Sequence, residues 1–249
     1  MIKSNKDPWE NPLHERFITQ SIYSDVDFPH YSDLNNFVKK QATNEKITIL
    51  DFGAGSSPYK KYFPNADYRR ADITGASNLN YHISSDSVIL EKDNTFDLII
   101  STQVAEHVLN PSTYFAETRR LLCPTGKLLI TTHGVWEEHG SPFDYQRWTA
   151  SGLQRDLEKC GFKNIRIFKI TCGFRSTILF FTRSLFSTCP PQGLVNKLIF
   201  KTFRFVYSKI FPYIYLLADY WWPNDKIIEV NDDQKNPIWY IVIAAIAEK

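Results

Sequence analysis

The chain lacks a charge excess of either sign. Its 249 residues carry 29 lysines and arginines against 27 aspartates and glutamates, for a net charge of +2. A dedicated nucleic-acid binder usually shows a stronger basic excess, so no nucleic-acid partner is expected. Cysteine is scarce. Cys123, Cys160, Cys172 and Cys189 show no metal-ligand spacing, so no metal site is expected, and they read as reduced thiols that suit a cytoplasmic protein. The stretch from Met1 to Asp7 is polar and lacks the apolar core of a signal peptide. Internal repeats and low-complexity tracts are absent. No apolar run suits a spanning helix, because the most apolar segment, Leu194 to Ala218, is broken by Lys197, Lys201, Arg204 and Lys209. These absences leave a single compact enzyme domain, long enough to bury a sizeable core.

What is present is led by residues 47–58, Ile-Thr-Ile-Leu-Asp-Phe-Gly-Ala-Gly-Ser-Ser-Pro. Four strand-forming residues run into Asp51 and then Gly53 and Gly55. A buried strand ending in a Gly-x-Gly turn lets the backbone approach a ligand at the carboxyl edge of a parallel sheet. An ordinary tight turn has the same pattern. About twenty residues on, Tyr68-Arg69-Arg70-Ala71-Asp72 reads as a second strand ending in an acid. A carboxylate there can accept hydrogen bonds from both hydroxyls of a ribose; the plainer reading is that Asp72 starts a turn. Position 58 is Pro, so the third glycine of Gly-x-Gly-x-x-Gly is missing, which disfavours a nicotinamide-dependent oxidoreductase. Asn94–Thr102, a short apolar run behind an Asn/Asp turn, and Gly126–His133 read as two further strands. They flank a helix that starts near Pro111 and stops before Pro124, as in a right-handed crossover.

With these residues in hand, the chain resembles the class I S-adenosylmethionine-dependent methyltransferases. Asp51-Phe52-Gly53-Ala54-Gly55 matches the family's first motif, and Asp72 its ribose-binding acid. Phe96–Ser101 with Glu106-His107-Val108 matches the fourth-strand region, and Leu121–Leu128 the segment leading to the fifth strand. The resemblance covers about residues 46–170 and the last strand. It is similar to the branch with a His-x-x-Pro-x-Asp-Tyr-x-Arg-x-Thr stretch, here His139 to Thr149, whose members often look like enzymes of surface-polysaccharide or lipid-linked glycan pathways. The resemblance implies S-adenosylmethionine as cofactor, held by Asp51, Gly53, Gly55, Asp72, Asp86, Gln103 and Glu106. Asp86 is the nearest acid for the adenine amino group, since the family's Leu-Pro-Phe ahead of the fourth strand is absent. It also implies an α/β fold: a Rossmann-like three-layer sandwich with a mostly parallel seven-stranded sheet, an antiparallel last strand and a helical insertion before it.

The expected organisation is an N-terminal cap over 1–45, a cofactor-binding core over 46–172, a helical insertion over 173–236 and a final strand over 237–249. The cap holds Trp9, Phe17, Ile22, Tyr23 and Phe28, and a helix over Ser32–Gln41 with Ser32 as N-cap. Thr149 is expected to cap a helix ending at Cys160, with Gly161 beyond it. In the insertion, Lys197, Lys201, Arg204 and Ser208 fall on one helical stripe. Two readings of 194–222 stand: a lid over the acceptor site, or an interfacial helix touching a membrane surface.

Methyl transfer from a sulfonium needs an acceptor lone pair held in line, and sometimes a base. The candidate catalytic residues are His139, Asp144 and His133. Asp144 either orients His139 or pairs with Arg147 to fix the loop. Glu106 and His107 are expected on the cofactor side, with His107 open to an inward packing. The expected acceptor is a small molecule, an oxygen of a nucleotide sugar or lipid-linked glycan. The contrasting reading is a non-catalytic or membrane-associated nucleotide-binding accessory protein with the same fold.

Overall fold

The structure, a computed structural model, describes residues 26–73, 78–140, 143–231 and 238–249. The expectations for Trp9, Phe17, Ile22 and Tyr23 lie outside them.

Eight strands form one sheet: β1 (Thr48–Phe52), β2 (Asp67–Asp72), β3 (Tyr81–His82), β4 (Phe96–Thr102), β5 (Leu122–His133), β6 (Lys163–Cys172), β7 (Ile227–Glu229) and β8 (Tyr240–Glu248). Their order is β3-β2-β1-β4-β5-β8-β6-β7. Strands β1 to β5 are parallel; β8 lies between β5 and β6, antiparallel to both. The expected count was seven. The difference is one short strand, β7, which falls in the expected helical insertion and extends the sheet beyond β6. The chain winds outward from β1 to β3, then returns to place β4 on the other side of β1. Connections leave in opposite directions there, so a crevice opens at the carboxyl ends of β1 and β4.

Both faces of the sheet are covered, because most strand residues are apolar on both sides. One layer is α2 (Pro111–Leu121) and α3 (Ala150–Lys159), which bury Tyr114, Phe115, Leu153 and Leu157. The other is α1 (Phe28–Lys39), α4 (Gly173–Ser187) and α5 (Leu194–Trp221), which bury Leu34, Phe37, Leu179, Phe211 and Tyr215. Helix α1 begins a turn earlier than expected, and Ser32 is not its cap. Pro29 takes the first turn, where its missing N–H costs nothing. Thr149 does cap α3, its hydroxyl accepting from the Gly152 N–H at 3.1 Å. Past the end of α3, Gly161 takes the left-handed conformation, with a φ of +89°.

The insertion departs furthest from its expected role. No α5 residue lines either large cavity at or beside the sheet's carboxyl edge. Nor is the Lys197–Ser208 stripe a free basic face. Arg204 lies against α4, where it donates to the Phe186 carbonyl at 2.9 Å and stacks on the Phe186 ring. The outward side of α5 is apolar instead, with Leu194, Leu198, Phe205, Tyr213 and Trp221 all exposed. Among the described residues no helix is long and apolar enough to cross a membrane.

A buried ionic cluster ties α1, α4 and α5 together. Asp33 and Arg175 are both buried, and the guanidinium donates to the carboxylate at 3.0–3.2 Å. Thr171 adds a hydroxyl at 3.0 Å, and Asp219 of α5 pairs with the same arginine. Burial pushes Asp33 up to about 6, against the pull of Arg175. Removing the cation strands a buried carboxylate, which costs about 3–5 kcal/mol. Denaturant unfolding of Arg175→Met at pH 8 is therefore expected to show a loss of that size. Lys226→Met, at the half-exposed edge of the cluster, should lose under about 1 kcal/mol. Asp33 binds its proton more tightly folded than unfolded, so its ionised form is the one that needs a counter-charge. Without Arg175 the buried carboxyl holds its proton more tightly still, so the Arg175→Met deficit should shrink as pH falls toward about 6 and level off below it.

Candidate active site

The crevice holds a cavity of about 530 Å³, lined by residues from the loops after β1, β2, β3 and β4. The turn after β1 is pinned from below: the N–H groups of Gly53 and Ala54 both donate to the Ala71 carbonyl, at 2.9 and 3.0 Å. Gly53 has a φ of +79° and Gly55 a φ of +47°, values that favour glycine. The two glycines serve different ends. A Cβ at Gly53 would collide with the Val104 side chain, which is itself part of the cavity wall. At Gly55 nothing lies within 4 Å, so that backbone faces open space.

Asp72 ends β2 on the cavity wall. Its carboxylate accepts from the N–H groups of Gly55 and Ile73, both at 2.7 Å. Arg70 braces the same turn through the Gly55 carbonyl and the Ser57 hydroxyl. Gln103 ends β4 with a φ of +56°, an uncommon conformation for a side chain of its size. Its amide donates to Thr131 at 3.1 Å, while its buried Oε1 has no hydrogen-bond partner among the described residues.

Three of the expected cofactor residues stand outside the lining. Asp51 is buried behind the turn, where its carboxylate accepts from the Tyr68 hydroxyl at 2.8 Å; burial pushes it up to about 7. Asp86 is exposed, and its neighbours Ser84, Ser85 and Ser87 face the cavity in its place. Glu106 is fully buried. Of the Glu106-His107 pair it is the acid that turns inward and the histidine that lines the cavity. The 3-10 turn over Ala105–His107 sends successive side chains to different sides. Phe143 and Tyr145 complete the wall and were not foreseen. The signal was the buried Asp144 between them: one inward residue in an extended stretch turns both neighbours outward.

Behind His107 the carboxyl ends of β4 and β5 gather the catalytic candidates. His133 ends β5, is buried, and stacks on Trp136 with ring centres 5.0 Å apart. Its Nε2 lies 3.4 Å from Glu106 Oε1, while Glu106 Oε2 accepts from the Thr132 hydroxyl at 2.8 Å. Burial holds the His133 imidazole well below its ordinary range and pushes Glu106 up. The His139 ring stands 5.0 Å from His133 and 5.1 Å from His107, edge-on to both. Among the described residues His139 Nδ1 meets two acceptors, the Glu137 carbonyl and Asp144 Oδ2, each at 3.3 Å.

Asp144 pairs with Arg147, one of the two roles left open by the sequence. It accepts the His139 backbone N–H at 2.9 Å and stands beside the ring, and Arg147 grips both of its oxygens. The arginine's hydrogen bonds hold its carboxyl down at about 2. A second cavity, of about 440 Å³, opens on the far side of Trp136, between Glu137 and the α4 residues Phe180, Arg183 and Ser184. No metal ligands were expected, yet Glu106, His133 and His139 each place a ligand atom within 4.8 Å of the others.

A glycine turn, an acid ending the neighbouring strand and a crevice at the point where the sheet reverses define an α/β enzyme that binds a nucleoside-bearing cofactor. Residues 30–167, more than half of the chain, match the methyltransferase-domain family, and the chain belongs to it. The class is the S-adenosylmethionine-dependent methyltransferases of class I, whose cofactor is S-adenosylmethionine. Along its whole length the chain is similar to an uncharacterised protein of Methanocaldococcus jannaschii, 24% identical over 259 residues and covering 99% of each. In fold it is similar to an S-adenosylmethionine-dependent methyltransferase from Archaeoglobus fulgidus, with a TM-score of 0.51 and 13% identity over 96% of this chain and 100% of that one. It also resembles the [4+2]-cyclase SpnF, at a TM-score of 0.51 and 16% identity over 88% and 82%.

The cavity fits this cofactor: open backbone at Gly55, a carboxylate for the ribose, an unpartnered amide oxygen at Gln103 and apolar walls at Ile83 and Leu109. Gly53→Val, which drives a branched side chain into Val104, should remove S-adenosylmethionine binding measured by calorimetry while the protein stays folded. Asp72→Ala gives up charge-assisted hydrogen bonds and should weaken binding about 10–100-fold. Undiminished affinity in folded Gly53→Val would show that this cavity is not the cofactor site.

Proposed function

We propose that the protein methylates an oxygen of a sugar or glycan-like acceptor, carried on a nucleotide or on a lipid. The observation that carries this reading is His139, set beside the cavity-lining His107 with its Nδ1 on the Glu137 carbonyl and the Asp144 carboxylate 3.3 Å away, which leaves Nε2 for the acceptor. When bound, the cofactor supplies an electrophilic methyl group on a sulfonium. The chain's own residues position the two partners and take up the proton. Asp72 and the Gly53–Gly55 turn hold the nucleoside end, and Gln103 and His107 wall the cavity beneath the acceptor. His139 accepts the hydroxyl proton at Nε2 as the new bond forms. Asp144, kept ionised by Arg147, stabilises the resulting imidazolium and fixes its orientation. The cavity beyond Trp136 offers a path for the rest of the acceptor.

The proposed setting is the cytoplasmic face of a membrane, touched through residues 194–222. Support comes from the apolar outward side of α5 and from Lys197, Lys201 and Lys209, which are exposed along it. Within this reading, α4 and α5 form a helical element attached to one catalytic unit.

Two measurements test it. With an acceptor found from a panel of nucleotide sugars and lipid-linked sugars, His139→Ala should lower turnover about 10²–10⁴-fold and leave cofactor affinity unchanged. Near wild-type turnover in the folded variant would remove His139 from the mechanism. The protein should also sediment with anionic vesicles, less so as salt rises. Replacing Lys197, Lys201 and Lys209 by Gln should release it without loss of activity on a soluble acceptor. Absence of sedimentation at low salt would end the membrane assignment.

A further inference from the structure

Three side chains at the carboxyl ends of β4 and β5 converge without fully satisfying one another. Glu106 is wholly buried, and its Oε1 has no hydrogen-bond partner among the described residues. His133 Nε2 stands 3.4 Å from that oxygen. His139 Nδ1 is engaged by the Glu137 carbonyl, with Asp144 Oδ2 also at 3.3 Å, which leaves Nε2 as the nitrogen able to ligate. One ligand atom from each of the three lies within 4.8 Å of the other two. A buried carboxylate oxygen with no donor is costly, and a cation removes that cost.

The geometry points to a divalent metal site of the zinc class, formed by Glu106, His133 and His139. Ligands about 2.1 Å from a tetrahedral ion stand about 3.4 Å apart, which is the separation between Glu106 and His133. The third ligand needs to close by no more than about 1.4 Å, a side-chain adjustment of the half-buried His139. Two imidazoles and one carboxylate leave the fourth position of such an ion open, as in catalytic rather than structural sites. The surrounding contacts already hold each ligand in place. Thr132 holds the other oxygen of Glu106, Trp136 stacks on His133, and the far nitrogen of His139 meets the Glu137 carbonyl with Asp144 Oδ2 beside it, each at 3.3 Å. A carboxylate on the far nitrogen of a metal-binding histidine is the usual way such a ring is oriented. Asp144 is itself fixed by Arg147.

The role of the ion, though not its binding, rests on the methyltransferase reading above. An ion there would polarise an acceptor hydroxyl beside the cofactor cavity. The hydroxyl proton passes to solvent, the oxygen–methyl bond forms, and the carbon–sulfur bond of the sulfonium breaks to leave a neutral thioether. His139 then serves as ligand and not as base.

The test is a titration of chelator-stripped full-length protein with Co(II) and with Zn(II). One ion per chain is expected, with the visible absorption of four-coordinate Co(II). Glu106→Gln and His139→Ala should abolish it. Asp144→Asn, which touches no ion, should weaken binding about 10–100-fold, a loss that a purely structural aspartate would not produce. Thermal unfolding and S-adenosylmethionine calorimetry on each variant separate loss of the site from loss of the fold. Absence of stoichiometric binding in the wild type, or binding unchanged in folded Glu106→Gln, overturns the site. Methyl transfer that persists in fully stripped protein overturns its catalytic role and leaves His139 as base. Stoichiometric binding without turnover on any oxygen acceptor would keep the site and sink the acceptor assignment instead.

Discussion

The reversal of winding between β1 and β4 is the constraint on which the rest depends. Strands on either side of that point send their connections away from each other, so a crevice is left at the carboxyl ends of β1 and β4. The gap has to be walled by loops. Backbone groups at such a place have lost their sheet partners, and this chain re-satisfies them locally. The Ala71 carbonyl takes two turn N–H groups, and Asp72 takes two more. Rigidity at the cofactor end thus comes from hydrogen bonds made by the turn itself and not from covering side chains.

The acceptor end is held by a different device. Residues 137–149 contain no helix or strand among their described positions, yet they carry His139, the proposed base. Asp144 organises them. It is almost wholly buried, gripped at both oxygens by Arg147, and tied to the backbone and ring of His139. A carboxylate so placed would be costly alone. With a guanidinium and two further donors it becomes the anchor of the loop. Gln146 extends the anchoring by donating to the carbonyls of Ala105 and Val108, which joins this loop to the turn bearing Glu106 and His107.

Much of this was legible in the sequence, for identifiable reasons. Strand-forming runs ending in Gly-x-Gly or an acid announce themselves because the turn chemistry is local. The cap at Thr149 and the glycine at 161 are local too. The fates of Asp51, Asp86 and Glu106 were not legible, because which way a side chain turns at a strand's end depends on what packs behind it. Glu106 finds Thr132 and His133 across the sheet, partners 26 and 27 residues away. The mistaken start of α1 has a simpler cause: Ser32 is a good cap residue, but Pro29 settles the first turn before it. The basic stripe of α5 misled because helical spacing says which residues share a face, not which face turns inward. Arg204 went inward because the end of α4 offered it a carbonyl and an aromatic ring.

Helix α5 is unevenly moored. All of its fully buried residues, Phe211, Tyr215 and Ala218, fall in its C-terminal half, near the Asp33–Arg175–Asp219 cluster. The preceding four turns bury nothing completely and are rich in phenylalanine, valine and isoleucine, which are indifferent helix formers. Opening free energy therefore grades along one continuous helix, from a free end that frays cheaply to an anchored end that opens only with the domain. Amide hydrogens before residue 207 are expected to exchange with solvent before those after it. Any surface that takes up the apolar side of the free half gains its contacts and also removes that fraying, so docking at one end of the helix is felt as added order along its length.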